Sequence, residues 1–153
     1  MKRGVAAVTM AYNEPVFLPL WANYYGSQFG NDHCYVVDHG SDDGSTEGLA
    51  GINVVRIPRS PMHDGKRANF ISNFVSALLE WYDTVIYTDV DEILIPDPNE
   101  FRSLSDFCWR SDLPVVTAIG LDVYQMPHEK PIDLSKNLTL KDSLSNFVVR
   151  FFL

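Results

Sequence analysis

The stretch VIYTDVDEILIPD, residues 85–97, joins an apolar run typical of a buried strand to three acidic side chains. Asp89, Asp91 and Glu92 follow the run directly, and apolar residues resume after them. In an extended chain, side chains two positions apart point to the same side, so we expect the carboxylates of Asp89 and Asp91 to lie together. Two such oxygen ligands suit a hard divalent cation that also takes phosphate oxygens. Acids at a strand end also often simply face water, and an Asp-x-Asp pair alone does not separate the two interpretations.

Apolar runs typical of strands alternate with helix-like segments on both sides of this stretch. We predict strands at residues 5–9, 34–38, 52–57, 84–88 and 114–120, and helices at 13–29, 45–47, 66–81 and 103–110. Asn13 and Pro15 are expected to begin the first helix, as cap and first residue. Such alternation predicts an α/β fold with a mostly parallel sheet and helices on both faces.

Polar residues follow each of the first four predicted strands. They occupy residues 11–14, 38–43, 59–67 and 89–92. Ligands of parallel sheets bind at the carboxyl ends of the strands, so these four loops are predicted to form one site. The predicted helix at 66–81 begins with Lys66 and Arg67, and a helix N-terminus carrying two cations is a favourable place for phosphate.

Length, charge and cysteine content narrow the class of protein. A chain of 153 residues fits one domain with a substantial core. The net charge of −8 argues against broad nucleic-acid binding, although four of the twelve Lys and Arg residues lie between positions 56 and 67. Cys34 and Cys108 are predicted to be buried, reduced thiols. No stretch approaches the ~18 apolar residues of a membrane span, and no signal peptide is evident, so we expect a cytoplasmic protein.

Two other classes of site also use closely spaced acids. An EF-hand fits poorly, because Ile93 and Leu94 occupy positions that need a ligand and a glycine. Phosphatases of the haloacid dehalogenase class carry Asp-x-Asp after an apolar strand, and in that scheme Asp89 is the nucleophile and Asp91 the acid/base. That motif normally opens the fold, whereas here three predicted strands precede it.

Four motifs in order resemble one enzyme family. They are VTMAYNEPVFLPLW at 8–21, YVVDHGSDDGS at 35–45, DGKRANF at 64–70 and YTDVDEILIPD at 87–97. Together they resemble the nucleotide-sugar-dependent glycosyltransferases of family 2 and their family 92-like relatives, over about residues 4–125. The resemblance implies the GT-A fold, a Rossmann-like nucleotide-binding sheet.

The resemblance also implies which residues bind the nucleotide. The family's loop after the first strand contacts the nucleotide and corresponds to Ala11, Tyr12, Asn13 and Glu14. Tyr12 is placed to stack on a uracil ring, or alternatively to cap the edge of the sheet.

Further binding residues follow from the second and third motifs. The family's aspartate after the second strand binds the base or ribose and corresponds to Asp38, which alternatively caps a turn. His39 stands where many members have a second Asp. The segment at 64–70 implicates Arg67 and Asn69, with Lys66 and His63 nearby; Arg67 pairing with Asp64 is the structural alternative.

The fourth motif implies the metal and the chemistry. In relatives the two aspartates, here Asp89 and Asp91, bind Mn²⁺ or Mg²⁺ and the sugar diphosphate, so Asp91 is predicted to be catalytic. The implied reaction is an inverting transfer of a sugar from a nucleoside diphosphate donor, expected to be UDP-linked, to a saccharide or lipid-linked acceptor. Relatives place the catalytic base well beyond this motif, where Asp122 and Glu129 are the available acids, and Asp122 is our prediction.

The chain ends within an apolar run, NFVVRFFL at 146–153. We therefore expect a single domain, 1–153, that is incomplete on the acceptor side. A non-catalytic module that binds UDP and metal, and a structural domain whose acids serve solubility, are the alternatives to an enzyme.

Overall fold

The computed structural model describes residues 4–112, 114–116 and 118–120. The chain divides into two compact units, residues 1–111 and 112–153. All helices and strands assigned within the described ranges lie in the first unit. They are, in chain order, β1 (Val5–Ala11), α1 (Phe17–Phe29), a 3₁₀ helix (Asn31–His33), β2 (Cys34–Asp38), β3 (Asn53–Arg56), α2 (Asp64–Leu78), β4 (Thr84–Tyr87) and α3 (Leu104–Arg110).

The four strands form one sheet in the order β3-β2-β1-β4, and every pairing is parallel. The register places Ala11 beside Asp38 and Val8 beside Tyr87. The chain therefore builds outward from β1 in one direction through β2 and β3, and in the other direction through β4. A crevice for ligands forms at such a reversal, outside the carboxyl ends of the strands.

The sheet is covered on both faces, as the predicted α/β Rossmann-like class requires, and that class is confirmed. On one face, Leu18, Trp21 and Tyr25 of α1 are buried in a cluster that also contains Leu104 and Cys108 of α3. On the other face lies α2. Its buried Ile71 and the edge-to-face contact between Phe74 and Tyr35 of β2, 6.1 Å between ring centroids, hold it against the sheet.

Three aromatic side chains of α1 fasten the segment that follows β4. The buried indole Nε1–H of Trp21 donates to Thr88 Oγ1 at 2.9 Å. The Tyr25 hydroxyl donates to the Glu92 carbonyl at 3.3 Å and accepts from the Leu94 amide at 3.1 Å. The Tyr24 hydroxyl donates to the Leu94 carbonyl at 2.6 Å. The acidic stretch is therefore anchored to the core on both sides of its turn.

The first helix begins later than the sequence predicts. Its first residue is Phe17, and Asn13 has φ +52°, in the left-handed region that a helix cap does not use. Asn13 instead binds a neighbouring loop through its side chain. Pro19 is the third residue of α1 and causes no break, because amides in the first helical turn have no partner within the helix.

Two other predicted elements differ from the structure. Residues 45–48 form a turn rather than a helix, since Gly44 and Gly48 at either end of the segment both have positive φ. The described residues of the predicted strand at 114–120 contain no strand. Helix α2 ends at Leu78, earlier than predicted. Helix α3, predicted over 103–110, begins at Leu104 after a Ser103 cap.

The two cysteines are free and buried, which confirms that prediction. Burial raises the pKa of the Cys34 thiol to about 12 and that of Cys108 to about 11. Both are therefore protonated, unreactive thiols at neutral pH. Within the described ranges, no helix combines the length and apolar character needed to cross a membrane.

Replacing Trp21 with Phe should lower the free energy of unfolding by about 2–3 kcal/mol. The change opens a small void and leaves Thr88 Oγ1 buried without its donor. Urea unfolding followed by circular dichroism measures the loss. The matched control is Trp81→Phe, at a side chain that is 86% exposed, for which a change within about 0.5 kcal/mol is expected. Equal effects at the two positions would contradict the anchoring role of Trp21.

Candidate functional site

A cavity of about 310 Å³ opens at the carboxyl edge of the sheet. It lies between β1 and β4, where the order in which strands are added to the sheet reverses. All four strand-following segments contribute to its lining, together with the first turn of α2. The lining residues are Met10, Ala11, Tyr12, Glu14, His39, Arg59, Met62, Arg67, Asp89, Val90 and Asp91. The convergence of loops predicted from the sequence is therefore present.

A smaller cavity of about 170 Å³ shares part of this wall. Met10, His39, Met62 and Arg67 line both spaces. The smaller cavity extends toward the start of α2, where His63 accepts the Lys66 amide at Nδ1 and so caps the helix. Cationic and hydrogen-bonding groups thus continue from the main cavity onto a helix N-terminus.

The structure distributes the predicted site residues among three environments. Lining the main cavity are Ala11, Tyr12, Glu14, Arg67, Asp89 and Asp91. Lining the smaller cavity are His63 and Lys66, again with Arg67. Lining neither cavity are Asn13, Asp38 and Asn69. Asp122 and Glu129 lie outside the described residues.

Asp38 has a different environment from the one expected for a nucleotide ligand. Its side chain is 1% exposed, and Oδ1 accepts the Ser41 amide at 2.7 Å. Oδ2 accepts from the Arg56 guanidinium at 2.6 Å, and Arg56 also donates to the Ser41 carbonyl at 2.7 Å. The carboxylate caps the turn after β2 and ties that turn to β3, as the structural alternative predicted.

Asn13 joins the loops that follow β1 and β2. Its side-chain amide donates to Asp42 Oδ1 at 2.8 Å, and its Oδ1 accepts the Asp42 backbone amide at 3.0 Å. Its own amide donates to Ser41 Oγ at 3.1 Å. This pairing fixes the loop on which the neighbouring Tyr12 stands, so Asn13 supports the cavity wall without lining it.

Arg59 forms the cavity wall together with Tyr12 and His39. Its guanidinium carbon lies 3.7 Å from the centroid of the Tyr12 ring, and one of its nitrogens lies 3.1 Å from His39 Nδ1. The other ring nitrogen of His39, Nε2, lies 3.0 Å from Ser60 Oγ and 3.2 Å from the Ser60 backbone nitrogen, so this ring joins the loops that follow β2 and β3. Arg59 was missed as a site residue; its signal was the cluster of basic residues at 56–67.

The position of Arg59 depends on Gly40. Gly40 has φ +77°, and a Cβ there would lie 2.8 Å from the Arg59 backbone nitrogen. Contacts that short require the backbone to move, so a residue without a side chain is needed where the loops after β2 and β3 touch.

Arg67, Tyr87 and Asp89 form a hydrogen-bonded triangle. Arg67 donates to Asp89 Oδ1 and, at 2.7 Å, to the Tyr87 hydroxyl, which itself donates to Asp89 Oδ1 at 2.8 Å. Burial raises the pKa of Tyr87 to about 12, and its bond to Asp89 adds to the rise against the opposing effect of Arg67. Burial alone would lower the pKa of Arg67, but Tyr87 and Asp89 raise it on balance. The predicted alternative, Arg67 with Asp64, is not the ion pair observed.

The acidic segment is a turn and not the extended chain assumed from the sequence. The Glu92 amide donates to the Asp89 carbonyl at 3.0 Å, and the Glu92 carboxylate accepts the Asp89 amide at 3.3 Å. Strand β4 ends at Tyr87, so Val90 and Asp91 occupy the bend. Asp89 and Asp91 still reach the same cavity, but the Glu92 turn brings them there instead of strand alternation.

The carboxylates at this turn suit a hard cation. Asp91 is exposed, and the contacts of Asp89 with Arg67 and Tyr87 use Oδ1. In the part of the chain that the structure describes, no group of three or more His, Cys, Asp or Glu side chains is arranged as a metal site. Two carboxylates at the edge of a cavity nevertheless fit Mg²⁺ or Mn²⁺, which complete their coordination with water and phosphate oxygens.

Replacing Gly40 with Ala should displace Arg59 and lower the free energy of unfolding by about 2–3 kcal/mol, through positive-φ strain and collision with backbone. Gly48→Ala is the matched control, because Gly48 has φ +75° but no atom of the described residues lies within 4 Å of the place that a methyl group would occupy. It should show only the strain, about 1–2 kcal/mol. The NMR shifts of the Tyr12 ring should change in Gly40→Ala alone; unchanged shifts there would contradict the contact.

Comparison with known proteins shows the fold. No model of a protein family matches the sequence, and no curated protein matches it. Among solved structures, the chain is similar to the mannosyltransferase PcManGT from Pyrobaculum calidifontis in complex with GDP-Man and Mn²⁺, with a TM-score of 0.50 and 18% identity. The match covers 73% of this chain and 33% of that one, so the present chain spans about a third of that protein. The chain has a glycosyltransferase-like fold.

Proposed function

We propose that this protein is a metal-dependent glycosyltransferase that takes a sugar from a nucleoside diphosphate donor. The observation that carries the proposal is that one cavity, at the point between β1 and β4 where the strand order reverses, presents an aromatic ring, an arginine and two carboxylates. Those groups are the ones that a base, a diphosphate and a divalent cation require. The fold shared with a nucleotide-sugar enzyme supports the same conclusion.

Binding of the donor is assigned to two sides of the cavity. Tyr12 is 37% exposed with Arg59 over its ring, and the part of the ring that stays exposed is the stacking surface for the base. Arg67, with Lys66 beside it in the first turn of α2, receives the diphosphate, because the amides and dipole of a helix N-terminus favour negative charge. A UDP-linked donor is the proposal from the sequence motifs, and GDP is the competing nucleotide, because the structural neighbour is in complex with GDP-Man.

Asp89 and Asp91 would hold Mn²⁺ or Mg²⁺ at the mouth of the cavity. When bound, the ion supplies positive charge that stabilises the departing diphosphate. Glu92 fixes the turn that carries both carboxylates, and Tyr24 and Tyr25 anchor the chain beyond it. The protein therefore contributes by holding the donor and the carboxylates of Asp89 and Asp91 in one fixed geometry.

The proposed reaction is a single displacement with inversion. An acceptor hydroxyl of a saccharide or lipid-linked acceptor forms a bond to the anomeric carbon, while the bond from that carbon to the diphosphate oxygen breaks. The hydroxyl proton passes to a carboxylate base, for which Asp122 remains the proposal. The leaving group is the nucleoside diphosphate, and the positive charge of Arg67 stabilises its negative charge.

Isothermal titration calorimetry with UDP and with GDP, in the presence and absence of Mn²⁺, tests donor binding. One nucleotide should bind only with metal, and Asp91→Asn should weaken that binding at least tenfold, about 1.4 kcal/mol, because a carboxylate ligand is lost. Glu80→Gln is the control. Glu80 is an exposed acid just past α2, away from the cavity, and its substitution should leave affinity unchanged. Absence of binding by both nucleotides at all metal concentrations would refute the proposal.

Turnover of the donor separates an enzyme from a binding module. Release of free sugar or transfer to an acceptor, lost in Asp91→Asn, supports a transferase; binding without turnover supports the module. A phosphatase of the haloacid dehalogenase type would instead trap a beryllofluoride adduct at Asp89 and show no preference between nucleotides.

A further inference from the structure

Arg67 is paired with Asp89, one of the two carboxylates proposed to hold the metal ion. Its guanidinium donates to Asp89 Oδ1, and the Tyr87 hydroxyl donates to the same oxygen at 2.8 Å. Arg67 is held there from both ends, since its backbone amide donates to the His63 carbonyl at 3.0 Å in the first turn of α2. Its side chain is 26% exposed and that of Asp89 is 43% exposed, so the pair faces the cavity while remaining partly shielded from water.

A guanidinium and a divalent cation compete for this carboxylate. Each cation is attracted to the same negative charge, and two cations side by side repel each other in a partly desolvated cavity. Arg67 therefore opposes metal binding for as long as Asp89 is its only anionic partner. A diphosphate in the cavity supplies a second anion, and arginine binds phosphate oxygens with a planar, two-pronged geometry.

We propose that Arg67 is an exchangeable counter-ion of Asp89, paired with the carboxylate in the empty site and transferred to the diphosphate when donor and metal bind. This inference rests on the proposed function for the identity of the second anion. Its consequence is coupling: metal alone binds weakly, nucleotide alone binds weakly, and each strengthens the other, because binding free energies are reciprocal between linked sites.

The proposal predicts opposite effects of one substitution on two ligands. Arg67→Gln should bind Mn²⁺ alone roughly five- to tenfold more tightly than the unaltered protein, because the competing cation is gone. The same variant should bind the nucleoside diphosphate at saturating Mn²⁺ roughly tenfold more weakly, because the phosphate partner is gone. Electron paramagnetic resonance of free Mn²⁺ measures the first affinity, and calorimetry with UDP and GDP the second.

Arg59→Gln is the matched control for the Mn²⁺ titration. Arg59 lines the same cavity and loses the same charge, but its partners are Tyr12 and His39. A general electrostatic effect would tighten Mn²⁺ equally in both variants; competition at Asp89 predicts a change of at most about twofold for Arg59→Gln. Equal tightening in the two variants therefore overturns the proposal.

Tyr87→Phe provides a second variant with the arginine in place. It removes the hydroxyl that bonds both Arg67 and Asp89 Oδ1, so the pair is weakened and Mn²⁺ alone should bind roughly two- to threefold more tightly. Unchanged or weaker Mn²⁺ binding in both Arg67→Gln and Tyr87→Phe overturns the proposal. A purely structural role for Arg67 would weaken both ligands in parallel instead of moving them in opposite directions.

The two proposals fail in different measurements. If neither nucleotide binds the unaltered protein with Mn²⁺, the proposed function fails, whatever Mn²⁺ alone does in the variants. If one nucleotide binds with metal but neither Arg67→Gln nor Tyr87→Phe tightens the binding of Mn²⁺ alone, only the exchange of Arg67 fails.

Discussion

The parallel pairing of β1 with both β2 and β4 determines where everything else in the site lies. Parallel strands need a crossover connection between them, so every strand delivers its carboxyl end to the same edge of the sheet. Because the chain moves away from β1 in both directions, the loops after β1 and β4 separate and leave a crevice. The 310 Å³ cavity is the space that this arrangement leaves.

The walls of that crevice are held by polar contacts within and between the loops. Asp38 closes the turn after β2 and holds Arg56, Asn13 joins the loops after β1 and β2, and Gly40 lets the loop with Arg59 pack against it. Buried carboxylates are stable only when their oxygens are satisfied, which explains why Asp38 is committed to the protein. Supporting residues thus lie directly beside the ones that face the cavity.

The acidic turn after β4 is fixed by different means. Aromatic side chains of α1 anchor its flanks through hydroxyl and indole hydrogen bonds, and Glu92 closes the turn itself. Within this fixed frame, the ion pair between Arg67 and Asp89 is partly exposed. Ligands can therefore replace either member of the pair without disrupting the core. A rigid frame around an exchangeable ion pair is what coupled binding of two ligands requires.

The sequence by itself determined the fold class, the boundaries of β2, and the convergence of four loops, because apolar periodicity and the geometry of parallel sheets are local or topological rules. It also identified Tyr12, Arg67, Asp89 and Asp91 as cavity residues. Tertiary structure alone decided which polar groups face each other. Asp38 is buried against Arg56, Arg67 pairs with Asp89 instead of Asp64, and Arg59 covers Tyr12. These pairings join residues 18 to 47 positions apart, and their choice depends on burial and on the distance between loops, which no local pattern encodes.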